Sequence, residues 1–181
     1  FGKTIFLNLS NNKFEVFSSG HRNPQGLILN IDGKIISTEH GPYGGDEINH
    51  IKKGKNYGWP ISSYGERYEY KENYKNEFYY KKNHYLNSFQ EPIFSFVPSI
   101  GISQIIQVPD NFHPKWKGNY LVSSLQSKSL YRVKFDKNLT KIIFSEKIFI
   151  GERIRDIIYD DSNRTFLLAL ENSGSVGILG N

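Results

Sequence analysis

Gln25-Gly26-Leu27-Ile28, then Asp32-Gly33, then Lys34-Ile35-Ile36-Ser37 matches a later run without a gap. That run is Arg155-Asp156-Ile157-Ile158, then Ser162-Asn163, then Arg164-Thr165-Phe166-Leu167. Each copy follows an arginine, Arg22 or Arg153, and reads as polar entry, β-rich run, turn and second β-rich run. Repeated four-stranded units of roughly 40–50 residues are the mark of a β-propeller. Two unrelated hairpins that happen to share a pattern are the alternative. At that repeat length 181 residues hold only about three or four blades. A closed ring usually needs more, because its sheets must meet around a central channel. The reading is therefore part of a propeller.

The rest of the chain agrees with an all-β class. Leu27–Leu29, Lys34–Thr38, Asn119–Val122, Leu130–Phe135 and Thr165–Leu170 are short β-rich runs. Turn formers bound them at Asp32-Gly33, Asp136-Lys137-Asn138, Asp161-Ser162-Asn163 and Ser173-Gly174. No window of helical length carries a 3.6-residue apolar period. Ser62–Glu91, rich in tyrosine, lysine and asparagine, reads as a long excursion between strands. It is a solvated loop, or else a lid or a docking surface for a partner.

Composition narrows the function classes. A hydrophobic content of 38% with 15% aromatics is globular. No run is apolar enough to span a bilayer. Without cysteine there are no disulfides, thiolate metal sites or cysteine nucleophile. The net charge of +5 is spread along the chain rather than gathered in a basic arm, which argues against nucleic acid. The chain starts at Phe1, contains no Met and shows no signal-peptide pattern, so it reads as a processed or truncated piece.

Chemistry concentrates in Gly20-His21-Arg22-Asn23-Pro24-Gln25-Gly26, Thr38-Glu39-His40-Gly41-Pro42, Gly44-Gly45-Asp46-Glu47 and Asn56-Tyr57-Gly58-Trp59-Pro60. Glycine and proline set backbone shapes that aim carbonyls or N–H groups at a ligand. Arginine and asparagine beside them suit a planar, anionic, oxygen-rich partner. Arg153 and Arg155, two apart, would share one face of an extended strand, with Ile154 turned into packing. The competing reading of that pair is an ion pair with Glu152 or Asp156. Gly41-Pro42 alone reads as a turn. His21 and His40 read as hydrogen-bonded structural residues rather than as a general base.

Gly20–Pro60 and Gly151-Glu152-Arg153-Ile154-Arg155-Asp156 together resemble the soluble pyrroloquinoline-quinone (PQQ)-dependent glucose and aldose sugar dehydrogenases, the glucose/sorbosone dehydrogenase family. Pro98-Ser99-Ile100 and Tyr120–Leu125 are weaker anchors. The resemblance implies a six-bladed propeller, with residues 1–181 as its C-terminal part of about three blades and the N-terminal blades absent. It implies oxidation of an aldose at the anomeric hydroxyl to a lactone, with electrons passed to an external acceptor. Arg22 and Asn23 match residues that contact the quinone oxygens, Arg22 stabilising the developing charge. His40, Ser99, Gln126, Arg153 and Arg155 complete the implied cofactor set. Gly41 and Pro42 would offer backbone carbonyls to calcium. Glu47, with the Tyr57 carbonyl, would join a second calcium. Asp46 and Glu47 otherwise read as a charged loop capping a strand.

The implied catalytic histidine lies on an earlier blade, so the isolated piece is expected to be inactive. A periplasmic or secreted location follows from the resemblance. Gln126 stands where glucose-oxidising members place a lysine, and Lys128 is out of register. Val97 replaces a tryptophan and Ser99 a threonine. These departures lean toward the broader aldose-type relatives. A non-catalytic propeller that binds a protein or glycan, as in hedgehog-interacting protein relatives, is the alternative function. Pairing of two halves into a pseudo-complete ring, a homodimer, is a further expectation.

Overall fold

The computed structural model describes residues 2–68 and 79–180. Among them, thirteen strands form four antiparallel sheets, and the only helical elements are single 3-10 turns at Tyr85–Asn87 and Pro114–Trp116. β1 (Lys3–Asn8) and β2 (Lys13–Ser19) make a hairpin. β3 (Pro24–Leu29), β4 (Ile35–Glu39), β5 (Asp46–Ile51) and β6 (Phe94–Phe96) make a meander. β7 (Ile102–Gln107), β8 (Tyr120–Ser124), β9 (Ser129–Phe135) and β10 (Ile142–Phe149) make a second. β11 (Ile154–Asp160), β12 (Thr165–Leu170) and β13 (Ser175–Leu179) form a three-stranded sheet. This propeller-like series is all-β, as expected, and the five strands read from sequence overlap β3, β4, β8, β9 and β12.

The cores lie between sheets. Ile36, Ile48 and Phe96 pack against Ile102, Ile105, Tyr120 and Val133 to join the β3–β6 sheet to the β7–β10 sheet. Leu121, Leu130 and Phe112 pack against Ile154, Ile157, Phe166 and Leu168 to join β7–β10 to β11–β13. The middle sheet is therefore covered on both faces, which is why its strands β8 and β9 are so thoroughly buried. Each first strand has a register shift near its start, between Pro24 and Gly26, Ile102 and Ile105, or Ile154 and Asp156. A bulge there turns the strand and re-aims its entry residues.

The two echoing hairpins are not in step throughout. Leu29 pairs with Ile35 across residues 30–34, whereas Tyr159 pairs with Phe166 across residues 160–165. The later turn thus holds one extra residue. Since side chains alternate faces, that residue moves β12 by one place relative to the ungapped sequence match.

Residues 52–93 leave the sheet after β5 and return at β6. The described part of this excursion is packed: Tyr57, Ser62, Ser63 and His84 are buried. Residues 69–78, within the stretch read as a lid or solvated loop, lie outside the described residues.

Candidate functional site

A cleft of about 790 Å³ opens where the entry of β3, the β4–β5 bend and the loops ahead of β7, after β8 and before β11 meet. Arg22, Asn23, His40, Gly41, Pro42, Ser99, Gln126 and Arg153 line it. Arg155 does not; it pairs with Glu171.

Arg22 is set by its own backbone. Its N–H donates to Glu39 Oε2 at 2.8 Å, and its Nη1 donates to the His40 carbonyl at 3.1 Å. Its guanidinium carbon stands 5.2 Å from the Trp59 ring centroid, a cation–π contact. Nε is buried with no hydrogen-bond partner. Such an unpaired donor is costly inside a protein and calls for an acceptor.

The Gly41–Gly45 bend is held by Asp46. One carboxylate oxygen accepts from the Gly41 N–H at 3.1 Å; the other accepts from Ile100 N–H at 3.1 Å and Ile102 N–H at 2.9 Å. Burial pushes the Asp46 carboxyl up, but hydrogen bonds from His40, Ser99 and Ile102 outweigh it and leave the group below its ordinary value. The bend is crowded with oxygen. A Cβ on Gly41 would lie 2.1 Å from the Gly44 carbonyl oxygen and 2.3 Å from that of Gly45, so only glycine fits.

Behind the bend lies a buried carboxylate layer. Glu39 and Glu47 face each other in the β4–β5 register, with Asn49 donating to both at 2.7 and 3.2 Å. Desolvation, then the charge of Glu39, pushes Glu47 well above the usual carboxylate range. His84 Nε2 is 3.7 Å from Glu47, and burial lowers the His84 pKa. Both shifts favour the neutral forms. Tyr57, pushed up to about 12 chiefly by burial, donates to the His50 carbonyl at 2.5 Å. A void of about 10 Å³ sits among Glu39, Glu47, Tyr57, Ser62 and Ser63, room for one water or ion.

Two readings need correction. Asp46 and Glu47 do not form a charged loop; they are the first residues of the buried strand β5, at 0% and 6% exposure. The acid that pairs with the arginines is neither Glu152 nor Asp156 but Glu171, at the end of β12. It accepts from Arg155 at 2.8 Å and from Arg153 at 3.4 Å. Ile154 between them is fully buried, as the alternation required. His21 is the structural residue expected: it is buried, stacked on Tyr57 at 4.5 Å, and bonded to Ser18 and Glu39. Asn49, His84 and Glu171 escaped the sequence reading, and Glu39, quoted within its motif, was given no role there. Ser37/Glu39 and Glu47/Asn49 alternate as strand residues do, and that polar alternation was the available signal.

The residues present fit a flat polyanion. The cleft offers two guanidiniums from different sheets, an orphan Arg22 donor and the amides of Asn23 and Gln126. The oxygen-rich bend suits a hard cation. Among the described residues no cluster of three or more His, Asp or Glu is arranged to hold a metal by itself, so carbonyls and the ligand would have to complete such a site.

The family model described as glucose/sorbosone dehydrogenase matches residues 3–178. The chain is 30% identical over 174 residues to the aldose sugar dehydrogenase YliI of Escherichia coli, covering 94% of this chain and 45% of that protein. It is 33% identical over 135 residues to quinoprotein glucose dehydrogenase B of Acinetobacter calcoaceticus, covering 75% and 26%. The solved apo-form of the soluble aldose sugar dehydrogenase of E. coli superposes with a TM-score of 0.77 at 28% identity, covering 97% of this chain and 49% of that one. The chain thus spans less than half the length of the curated relatives it matches.

Proposed function

Because the chain belongs to the glucose/sorbosone dehydrogenase family, we propose that it supplies the cofactor-binding half of a quinoprotein that oxidises aldoses to lactones. The observation that carries this reading is the meeting of Arg22 and Arg153, from separate sheets, with the Gly41-Pro42 bend on one cleft. PQQ, when bound, would supply a hydride-accepting carbonyl, and the Gly41 and Pro42 carbonyls would hold a calcium able to polarise it.

This chain's residues prepare that chemistry. Arg22, braced by Glu39, His40 and Trp59, keeps a fixed positive charge where negative charge develops, so little reorganisation is needed. Arg153 meets a carboxylate, and Asn23, Ser99 and Gln126 donate hydrogen bonds around it. Gln126, being neutral, grips an anion less firmly than a lysine would. Arg155 acts at one remove, sharing Glu171 with Arg153. His40, leaning on Asp46 at 3.7 Å, shapes the floor. The void beside Glu47 and Tyr57 would take a second calcium. The proton from the sugar hydroxyl goes to a histidine outside residues 1–181, on blades that complete a six-bladed ring; the 181-residue chain alone is then inactive. Exposed apolar side chains on the end sheets, such as Phe14 at 72% and Ile178 at 73%, support further coverage, by those blades or by a second copy. A periplasmic or secreted location and an external electron acceptor complete the reading. No described helix is long and apolar enough to cross a membrane.

The test is titration of the full-length protein with PQQ, with calcium or with chelator, followed by aldose-dependent dye reduction. Calcium-dependent uptake is expected. Arg22→Gln should lower turnover roughly 100-fold, and Arg153→Gln should weaken uptake about tenfold. A full-length protein that takes up no quinone would favour a non-catalytic binding propeller instead.

A further inference from the structure

The cleft has a second wall that the cofactor reading leaves unused. Tyr43 and Tyr68 stand at its edge with Val97, at 69%, 50% and 65% exposure. Both are held in place, Tyr43 through its backbone and Tyr68 through its hydroxyl. The Tyr43 N–H donates to the Glu66 carbonyl at 2.9 Å, and the Glu66 N–H returns a bond to the Tyr43 carbonyl at 2.7 Å. Tyr68 donates its hydroxyl to the Pro42 carbonyl at 2.9 Å. The rings meet edge to face, 6.3 Å between centroids. Beneath them the backbones touch: a Cβ on Gly45, at φ +73, would lie 2.3 Å from Gly65 N. Glycine at both positions lets the two segments close. Lys82, bound to Glu66 at 2.7 Å and to the Gly65 carbonyl at 2.6 Å, clamps the second segment.

We propose that Tyr43, supported by Tyr68, is the platform on which the aldose ring stacks, and so a specificity-determining residue for the reaction proposed above, on which this inference rests. The division of the cleft favours a sugar on this wall. A tyrosine face carries the negative lobe of the ring quadrupole. It attracts the positively polarised C–H groups of a pyranose and gains nothing from the carboxylates of a polyanion, which belong against Arg22 and Arg153. The open Tyr43 face is the surface a neutral ring can cover. Glu66 at the same edge offers an acceptor to ring hydroxyls.

The experiment compares wild type, Tyr43→Ala and Tyr43→Trp in the full-length protein reconstituted with PQQ and calcium. Tyr43→Ala is expected to raise the aldose KM roughly five- to tenfold, with kcat and quinone affinity little changed, and Tyr43→Trp to restore the KM. Saturation-transfer NMR with methyl β-D-glucopyranoside, with and without quinone, supplies a readout independent of turnover. Sugar signals present in wild type should fall several-fold in Tyr43→Ala. Sugar contact without quinone uptake would support the platform while overturning the quinoprotein reading. Quinone uptake and turnover with an unchanged KM in Tyr43→Ala would overturn the platform alone. So would a Tyr43→Ala variant that loses quinone affinity instead of sugar affinity.

Discussion

The β3–β6 sheet and the β11–β13 sheet carry the same strand-turn-strand sequence, yet their first strands bury opposite sides of it. In the first, Ile28, Ile36 and Ile48 turn toward the middle sheet, and Leu27 and Leu29 are left exposed. In the second, Ile157, Phe166 and Leu168 turn toward the middle sheet, and Ile158, Val176 and Ile178 are left exposed. The middle sheet lies on the far side of one and the near side of the other, so position in the series selects the buried face. Ile157 stands where the match places Leu27, and their exposures are 2% and 60%. Hydrophobic pattern thus marks both faces of such a strand as coverable, without saying which neighbour does the covering.

The largest test of this contrast is Phe166→Ala against Ile178→Ala. In the 181-residue chain, Phe166→Ala should cost about 3–5 kcal/mol by urea denaturation, and Ile178→Ala less than about 0.5 kcal/mol. In the full-length protein the Ile178→Ala cost should rise toward that of a core deletion, about 2–5 kcal/mol. An unchanged cost there would mean that no further sheet packs on β13.

A smaller effect separates the carboxylates that pin each sheet's loops. Asp46→Ala strands three buried N–H donors and should cost about 2–5 kcal/mol. Its counterpart Glu152 accepts from the N–H groups of Arg153 and Asn172 at 3.0 and 3.2 Å, but in contact with water. Glu152→Ala should shift the denaturation midpoint far less. Equal shifts would break the distinction between the buried pin and the exposed one.

The smallest effect extends the comparison to the turns. Asp136 closes the β9–β10 turn by accepting from Thr140 and Lys141 N–H groups. The Thr140 bond first among its causes holds this carboxyl down, from 3.8 to about 2. Because its folded-state pKa is depressed, its stabilisation is complete above pH 3.8 and fades as pH falls toward 2. Asp136→Asn should therefore show a shallower acid-side loss of stability across that window, read by denaturation at stepped pH. An identical slope in wild type and variant would remove Asp136 from the acid response.

Much of the architecture was legible from short runs of β-formers between Asp-Gly and Asn-type turns, since strand alternation and turn chemistry act locally. β5 was missed because Asp46-Glu47-Ile48-Asn49-His50 carries three acidic or amide side chains, which read as loop until the buried layer that receives them is known. β1, with Ile5, Phe6 and Leu7 all about half exposed, offers no clean one-sided alternation to detect.

The sequence alone determined that arginines, an oxygen-rich bend and glycine-permitted close approaches are present, because residue chemistry and backbone freedom are properties of the chain itself. Only the tertiary structure decided that Arg22 and Arg153 open onto one cleft while Arg155 turns to Glu171. It alone placed Glu39 against Glu47, and it left Tyr43 held by its backbone but with its ring uncovered. Those outcomes depend on how sheets stack and where one extra turn residue shifts a register, and both are set by packing between segments far apart in the chain.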